Sequence, residues 1–261
     1  MNEPYEDLVT MSNIKETCAK LSVKLMNPEA VETYLTDVGE FASVCYDTDT
    51  CKVNPEAIAK QCIRSGHMSP ARAVYFIFKL AGIDRSCSHQ IVRHRYGVEI
   101  NQRSQRYCDE SKPSIVIPDS IIMVPEALEE FIYCENVVYN TYKRLKKLGI
   151  PGDDARSVLS NCTETEMNIA FTPQALIHFC NERCCSRASQ PIRWLAMKMR
   201  EQVCDIEPYF TSLLTPKCSA LGYCPEASTC GRMPTKKVVL DAYRDSVRSV
   251  NKDKEETHDG R

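Results

Sequence analysis

The stretch Gln90–Tyr107, QIVRHRYGVEINQRSQRY, sets four arginines and a histidine (Arg93, His94, Arg95, Arg103, Arg106) against one acid, Glu99. A generic arginine run is more often a solvated basic face. Here Ile91, Val92, Val98 and Ile100 hold the segment against a core, which favours the wall of a pocket. A helix from near Ser86 to about Arg95 places Gln90, Arg93 and His94 at i, i+3 and i+4 on one face. The following polar, turn-rich residues, Tyr96 to Asp119, read as loop with short strands. Guanidinium forks beside amide and hydroxyl donors suit phosphate and carboxylate groups. The residue chemistry by itself therefore points to an anion, a nucleotide or a phosphate.

Working outward, Val74, Phe76, Phe78 and Leu80 alternate with Tyr75, Ile77 and Lys79, and this period of two predicts a strand over Arg72–Leu80. Upstream, Asn27-Pro28-Glu29 and Asn54-Pro55-Glu56 each put a cap residue before a proline in a first helical turn. The first helix is expected to run to about Ala42, and Gly66 to close the second. Downstream, a long helix over Pro125–Leu148 stops at Gly149-Ile150-Pro151. A short helix follows over 153–160, then a strand over Glu166–Thr172 and helices over Pro173–Cys185 and from Ile192 to about Cys204. The charged segment 247–261 reads as a disordered tail after a single domain, 1–246. The expected fold is α+β, one domain with a mostly antiparallel central sheet flanked by helices.

Composition narrows the function classes. The 261 residues are 43% hydrophobic and 26% charged, ordinary globular usage. Thirty-three basic against 35 acidic residues give a formal charge of −2, so no global field attracts polyanions, and affinity for phosphate must be local. No apolar run is long enough to span a membrane. The opening Met1–Thr10, with Glu3, Glu6 and Asp7, does not read as a secretory signal. The 15 cysteines are accordingly expected as reduced thiols in the cytoplasm.

Two further clusters stand out. HFCNERCCSRASQPIR, His178 to Arg193, sets His178, Glu182 and Arg183 on one helix, although a histidine on a half-apolar helix is more often a packed core residue. Arg156, beside Asp153 and Asp154, reads first as half of a surface ion pair. Cys218, Cys224 and Cys230 recur every six residues, unlike the closely spaced cysteine pairs of structural zinc sites, so no metal is expected. The basic stretch with Tyr96 and Tyr107 raises nucleic-acid binding, but the acidic balance and the lack of a recognition fold count against it.

Taken in order, these residues resemble the flavin-dependent thymidylate synthases. Arg93-His94-Arg95 followed by Asn101, Ser104, Arg106 and Tyr107 is similar to that family's R-H-R and N-E-x-S-x-R-Y signature. Gly66-His67-Met68-Ser69-Pro70 resembles its G-H-x-[ST]-P element, and Gly149-Ile150-Pro151 with Ala155-Arg156 its G-x-P…A-R segment. His178-Phe179, Arg183 and Arg187-Ala188 resemble its C-terminal helix, and Cys218…Cys224-Pro225-Glu226…Cys230-Gly231 a tail found in many members.

The resemblance implies an enzyme that binds FAD, dUMP and methylene-tetrahydrofolate in one cavity. It is expected to be a cytoplasmic homotetramer sharing flavin sites between subunits, with no nucleic-acid or membrane partner. NADPH reduces the flavin, the methylene passes from folate to C5 of the uracil, and no cysteine nucleophile is used. Carried over by motif, Arg93, His94 and Arg95 contact FAD, with His67, Ser69, Asn101 and His178. Gln90, Gln102, Ser104, Arg106, Arg156 and Arg183 hold dUMP, and Arg183 and Ser104 serve catalysis.

The chain departs from that pattern in four places. The spacer from Arg95 to Ser104 is one residue longer. Gln102 stands for a glutamate, and Ala71-Arg72-Ala73 for a glutamate–histidine pair. The family's A-Q-W-E-I-R becomes Ala188-Ser189-Gln190-Pro191-Ile192-Arg193, with the glutamine one position late, about 100° around a helix. A paralogue methylating C5 of another pyrimidine nucleotide, or an inactive nucleotide-binding member, is the alternative expectation.

Overall fold

The computed structural model describes residues 5–258, with the side chains of Tyr46 and of residues beyond 247 outside the description. The main elements are β1 (Ser22–Leu25), α1 (Tyr34–Ser43), α2 (Pro55–Arg64), β2 (Phe76–Asp84), α3 (Arg85–Ile91), β3 (Val98–Gln102), α4 (Pro125–Lys147), β4 (Glu164–Phe171), α5 (Pro173–Arg183), α6 (Gln190–Ile206) and α7 (Lys236–His258). The strands form one sheet in the order β1-β2-β4-β3, every ladder antiparallel. This is the α+β architecture the sequence led us to expect.

Alternation of side chains across the strands decides which face is buried. Phe76, Phe78 and Leu80 of β2 and Met167, Ile169 and Phe171 of β4 point to one side, each at most 1% exposed. They form one core with Val38 of α1, Phe179 of α5 and Leu195 and Met199 of α6. The opposite face carries Lys79, Glu99, Asn101, Glu166 and Asn168, all exposed. A smaller core gathers Ile115 and Ile117 with Leu128, Ile132 and Tyr139 of α4. One turn apart on α4, Asn136 and Asn140 hold the incoming chain through paired backbone bonds to Val9 and Glu6 (2.8–3.0 Å).

Several boundaries differ from the expectation. β2 begins at Phe76 rather than Arg72, because Pro70–Arg72 forms a single 3-10 turn that buries Pro70 and Ala71. It continues past Leu80 to Asp84 through an irregularity in register around Gly82, whose φ is +67°. The first proline-capped helix is interrupted at Thr33, and α3 ends at Ile91, short of Arg95. Gly66 (φ +74°) and Gly149 (φ +82°) take the left-handed conformation that ends α2 and α4, as the sequence predicts. Helix α7 covers part of the 247–261 segment read as a tail, and residues 259–261 lie outside the described residues. Among the described residues no helix is long and apolar enough to cross a membrane.

Candidate active site

The site is assembled at the junction of α3, β3 and α5. Asp84 caps α3, its carboxylate accepting the Cys87 N–H. After Ile91 the chain closes a turn in which the His94 N–H donates to the Ile91 carbonyl at 3.0 Å. Gln90, Arg93 and His94 therefore do not share a helical face, contrary to the expectation from spacing. Tertiary contacts override it. Gly97 adopts φ +68° and lies so close to Thr172 that an added Cβ would meet Oγ1 at 2.3 Å. The Thr172 N–H donates to the Gly97 carbonyl at 2.8 Å, and its Oγ1 accepts from Ala175 N at 3.3 Å to cap α5. One threonine thus registers the Arg93–Gly97 turn against the helix that carries His178, Glu182 and Arg183.

At the centre, Arg183 Nε donates to His94 Nε2 at 3.0 Å, and its terminal nitrogen reaches the Gln90 carbonyl at 3.5 Å. The His94 ring stacks edge-on against Phe179, centroids 4.9 Å apart, and against His178 at 5.8 Å. Burial, then the Arg183 and His178 charges, push the His94 pKa down to about 4. His94 is therefore neutral near pH 7, with the proton on Nδ1, because Nε2 accepts from Arg183. Gln90 is fixed from its other end by Ser189, whose hydroxyl donates to the side-chain carbonyl at 3.1 Å. Ser189 stands where the resembled pattern has its glutamine. Gln190 opens α6 and donates to Asp119 at 2.7 Å, on the edge of a separate, largely apolar cavity with Trp194.

Two cavities meet at Arg93 and Arg183. One, of about 860 Å³, is lined by Arg72, Arg93, His94, Arg95, Tyr96, His178 and Glu182 among others. The second, of about 620 Å³, is lined by Arg85, Ser88, Gln90, Gln102 and Asn161. Gln102 Nε2 donates to Ser88 and Thr165 hydroxyls, both at 3.1 Å, tying the end of β3 to α3. A glutamate there could only accept, so the change at this position reverses the polarity of those bonds.

Of the expected residues, the fold brings together Gln90, Gln102, Arg93, His94, Arg95, His178 and Arg183. The others lie outside both cavities. Asn101 is exposed on the opposite sheet face from Gln102 by strand alternation, and His67 and Ser69 are exposed in the turn after α2. Ser104 opens the turn after β3, accepting from the Tyr107 and Cys108 N–H groups. Arg106 lies 3.8 Å from Asp153, and Arg156 forms an i,i+3 pair with the same carboxylate at 2.6 Å, the ion pair its acidic neighbours suggested.

Arg85 and Arg72 are cavity residues that were not among the candidates read from the sequence. Arg85 opens α3 inside the second cavity, and burial followed by the nearby Arg156 charge depress its pKa. Two guanidiniums near one another beside a cavity favour an anion. Its one sequence signal was the arginine directly after the capping Asp84, outside any matched motif. Among the described residues no cluster of metal-ligating side chains occurs, and all 15 cysteines are free thiols.

A family model, "Thymidylate synthase complementing protein", matches residues 29–209. The flavin-dependent thymidylate synthase of Nitratidesulfovibrio vulgaris is 36% identical, the match covering 68% of this chain and 76% of that one. The enzyme of the same name from Clostridium tetani is 31% identical over 81% of this chain and 94% of its own. Among solved structures, the UMP/dUMP methylase PolB from Streptomyces cacaoi bound with 5-Br dUMP superposes with a TM-score of 0.60 at 19% identity, over 75% of this chain and 96% of that one. The flavin-dependent thymidylate synthase ThyX from Helicobacter pylori, complexed with FAD and dUMP, gives 0.56 at 16%, over 69% and 93%. At those identities the two structures establish a shared fold.

Proposed function

The chain belongs to the flavin-dependent thymidylate synthase family, and from that premise we propose that it is an FAD-dependent methyltransferase converting dUMP to dTMP. Methylene-tetrahydrofolate is the one-carbon donor and NADPH the reductant in this reading, and the working form is a cytoplasmic homotetramer. The observation that carries it is Arg183, oriented by neutral His94 at 3.0 Å and set where the two cavities join. The residues fit both ligands. Arg72, Arg93 and Arg95 line the larger cavity, and among the described residues none has a partner for its guanidinium, a match for a pyrophosphate. Arg85, Gln90 and Gln102 line the smaller one, a match for a nucleotide monophosphate.

When bound, the flavin supplies the hydride that completes the methyl group. The chain's own residues supply alignment and charge. As the uracil ring gives up its C5 proton, negative charge develops on a carbonyl oxygen of the base, and a fixed guanidinium beside it stabilises that charge. Arg183 is suited to this task because His94 and the Gln90 carbonyl hold it without neutralising it. His94, unprotonated near pH 7, positions that cation and leaves the positive charge to Arg183. Ser104, Arg106, Arg156, Asn101, His67 and Ser69 complete the dUMP and flavin sites from a neighbouring subunit, which is how residues outside both cavities take part.

The test is the visible spectrum of the purified protein with FAD, before and after dUMP, followed by turnover with methylene-tetrahydrofolate and NADPH. A bound-flavin spectrum perturbed by dUMP, with dTMP formed, is expected. Failure to retain FAD even with dUMP present would overturn the synthase reading. Product from UMP but not dUMP would reassign the substrate to the ribonucleotide.

A further inference from the structure

The larger cavity contains more positive charge than its own protein groups can answer. Arg72, Arg93 and Arg95 all line it, all three are exposed, and among the described residues none has a hydrogen-bond or ion-pair partner for its guanidinium. The acid on the cavity wall, Glu182, is already paired with Lys217 at 2.5 Å. Arg183, on the same wall, is committed to His94. Like charges gathered without a counter-ion repel one another, and a dianionic ligand relieves that repulsion.

The three arginines come from two separately anchored segments. Arg93 and Arg95 flank His94, which is wedged against Phe179 at 4.9 Å. Arg72 ends the 3-10 turn Pro70–Arg72, whose Ala71 is 0% exposed and packs into the main core. Arg72 is the charged residue of that turn, and its backbone is fixed while its side chain is free. It also occupies the place where the resembled pattern has a glutamate–histidine pair, so the local charge is reversed in this chain.

We propose that Arg72 is a binding residue for the pyrophosphate of the flavin dinucleotide, forming with Arg93 and Arg95 a three-guanidinium clamp. This inference rests on the flavin reading above. The two phosphates carry one negative charge each, and planar guanidiniums that line one cavity from two segments can bond both bidentately. A nicotinamide dinucleotide presents the same group, so the two sources need separating.

The experiment titrates the parent, Arg72→Ala and Arg72→Lys with FAD, riboflavin and NADPH, read by flavin fluorescence and calorimetry. Arg72→Ala is expected to weaken FAD about tenfold or more and to leave riboflavin, which lacks the pyrophosphate, within about twofold. Arg72→Lys, which keeps the charge and loses the fork, is expected to fall between. It also serves if the alanine variant fails to fold. Unchanged FAD affinity in a parent that binds FAD would sink the assignment of Arg72 alone. Equal weakening of riboflavin would make Arg72 a shaper of the cavity, and loss confined to NADPH would give the clamp to the reductant; either overturns the proposal. A parent that binds no FAD removes the flavin reading itself, a distinguishable outcome.

Discussion

Arg183 and His94 depend on each other. The neutral imidazole can accept the guanidinium N–H only while Nε2 is unprotonated, and the guanidinium helps to keep it so. Arg183→Ala removes the second-largest cause of the depressed pKa while burial remains. The His94 pKa is then expected to rise from about 4 part of the way toward 6.5, measured from its imidazole NMR shifts across a pH series. An unmoved titration would show that the two side chains are not coupled in solution. Because the folded-state pKa is depressed, the unfolded chain binds a proton between those values that the folded chain refuses. The His94 contribution to stability is therefore present above the unfolded pKa and lost as pH falls toward 4. The same variant is expected to weaken dUMP binding by about 10- to 100-fold, the range for lost hydrogen bonds to a charged group, with the fold intact. For Arg85, alanine is expected to reduce dUMP affinity about tenfold and leave FAD retention as in the parent. Loss of FAD with unchanged dUMP binding would move Arg85 to the other ligand.

At the scale of elements, the turn between α3 and β3 is set by one glycine and one threonine. Gly97 has φ +68°, and an added Cβ would meet Thr172 Oγ1 at 2.3 Å. Gly97→Ala therefore combines left-handed strain with a clash against the residue that caps α5. A loss of about 1–3 kcal/mol is expected, visible as a lower urea midpoint with an unchanged m-value. Flavin retention is expected to fall with it, because Arg93 and Arg95 sit on the same turn. A variant as stable as the parent would mean that the turn relaxes freely and that Thr172 does not fix its register. The extra residue in the spacer falls on this segment, and β3 still pairs with β4 from Val98 through Gln102.

For the whole molecule, the exposed sheet face and the division of the site residues bear on assembly. Asn101 faces away from Gln102, and Ser104 and Arg106 lie outside the cavities that hold Gln90 and Arg183. If subunits share each site, Arg106→Ala and Arg183→Ala are each expected to be inactive alone and to regain part of the parent turnover when unfolded and refolded together. Mixed assemblies can pair an intact Arg106 from one chain with an intact Arg183 from the other. Sedimentation of the parent is expected to give a tetramer. A monomer, or mixtures as inactive as their components, would confine the site to one chain.

Much of this architecture was legible locally. Period-two alternation around Phe76–Leu80, the Asn54-Pro55 helix start, the periodic helix from Pro125 and the glycines that end α2 and α4, Gly66 and Gly149, depend on neighbours a few residues away, so the sequence alone determined those elements and the α+β class. The ordered motif residues likewise marked Arg93, His94 and Arg183 before any geometry was known. What a local pattern cannot contain is a contact across the chain. The early end of α3 follows from Gly97 docking on Thr172, and the depressed pKa of His94 from burial and, after it, from an arginine 89 positions away. The placement of Arg72 on the cavity wall follows from a turn anchored by the buried Ala71. Only the tertiary structure decided these, because burial and charge proximity are properties of packed surfaces rather than of sequence order.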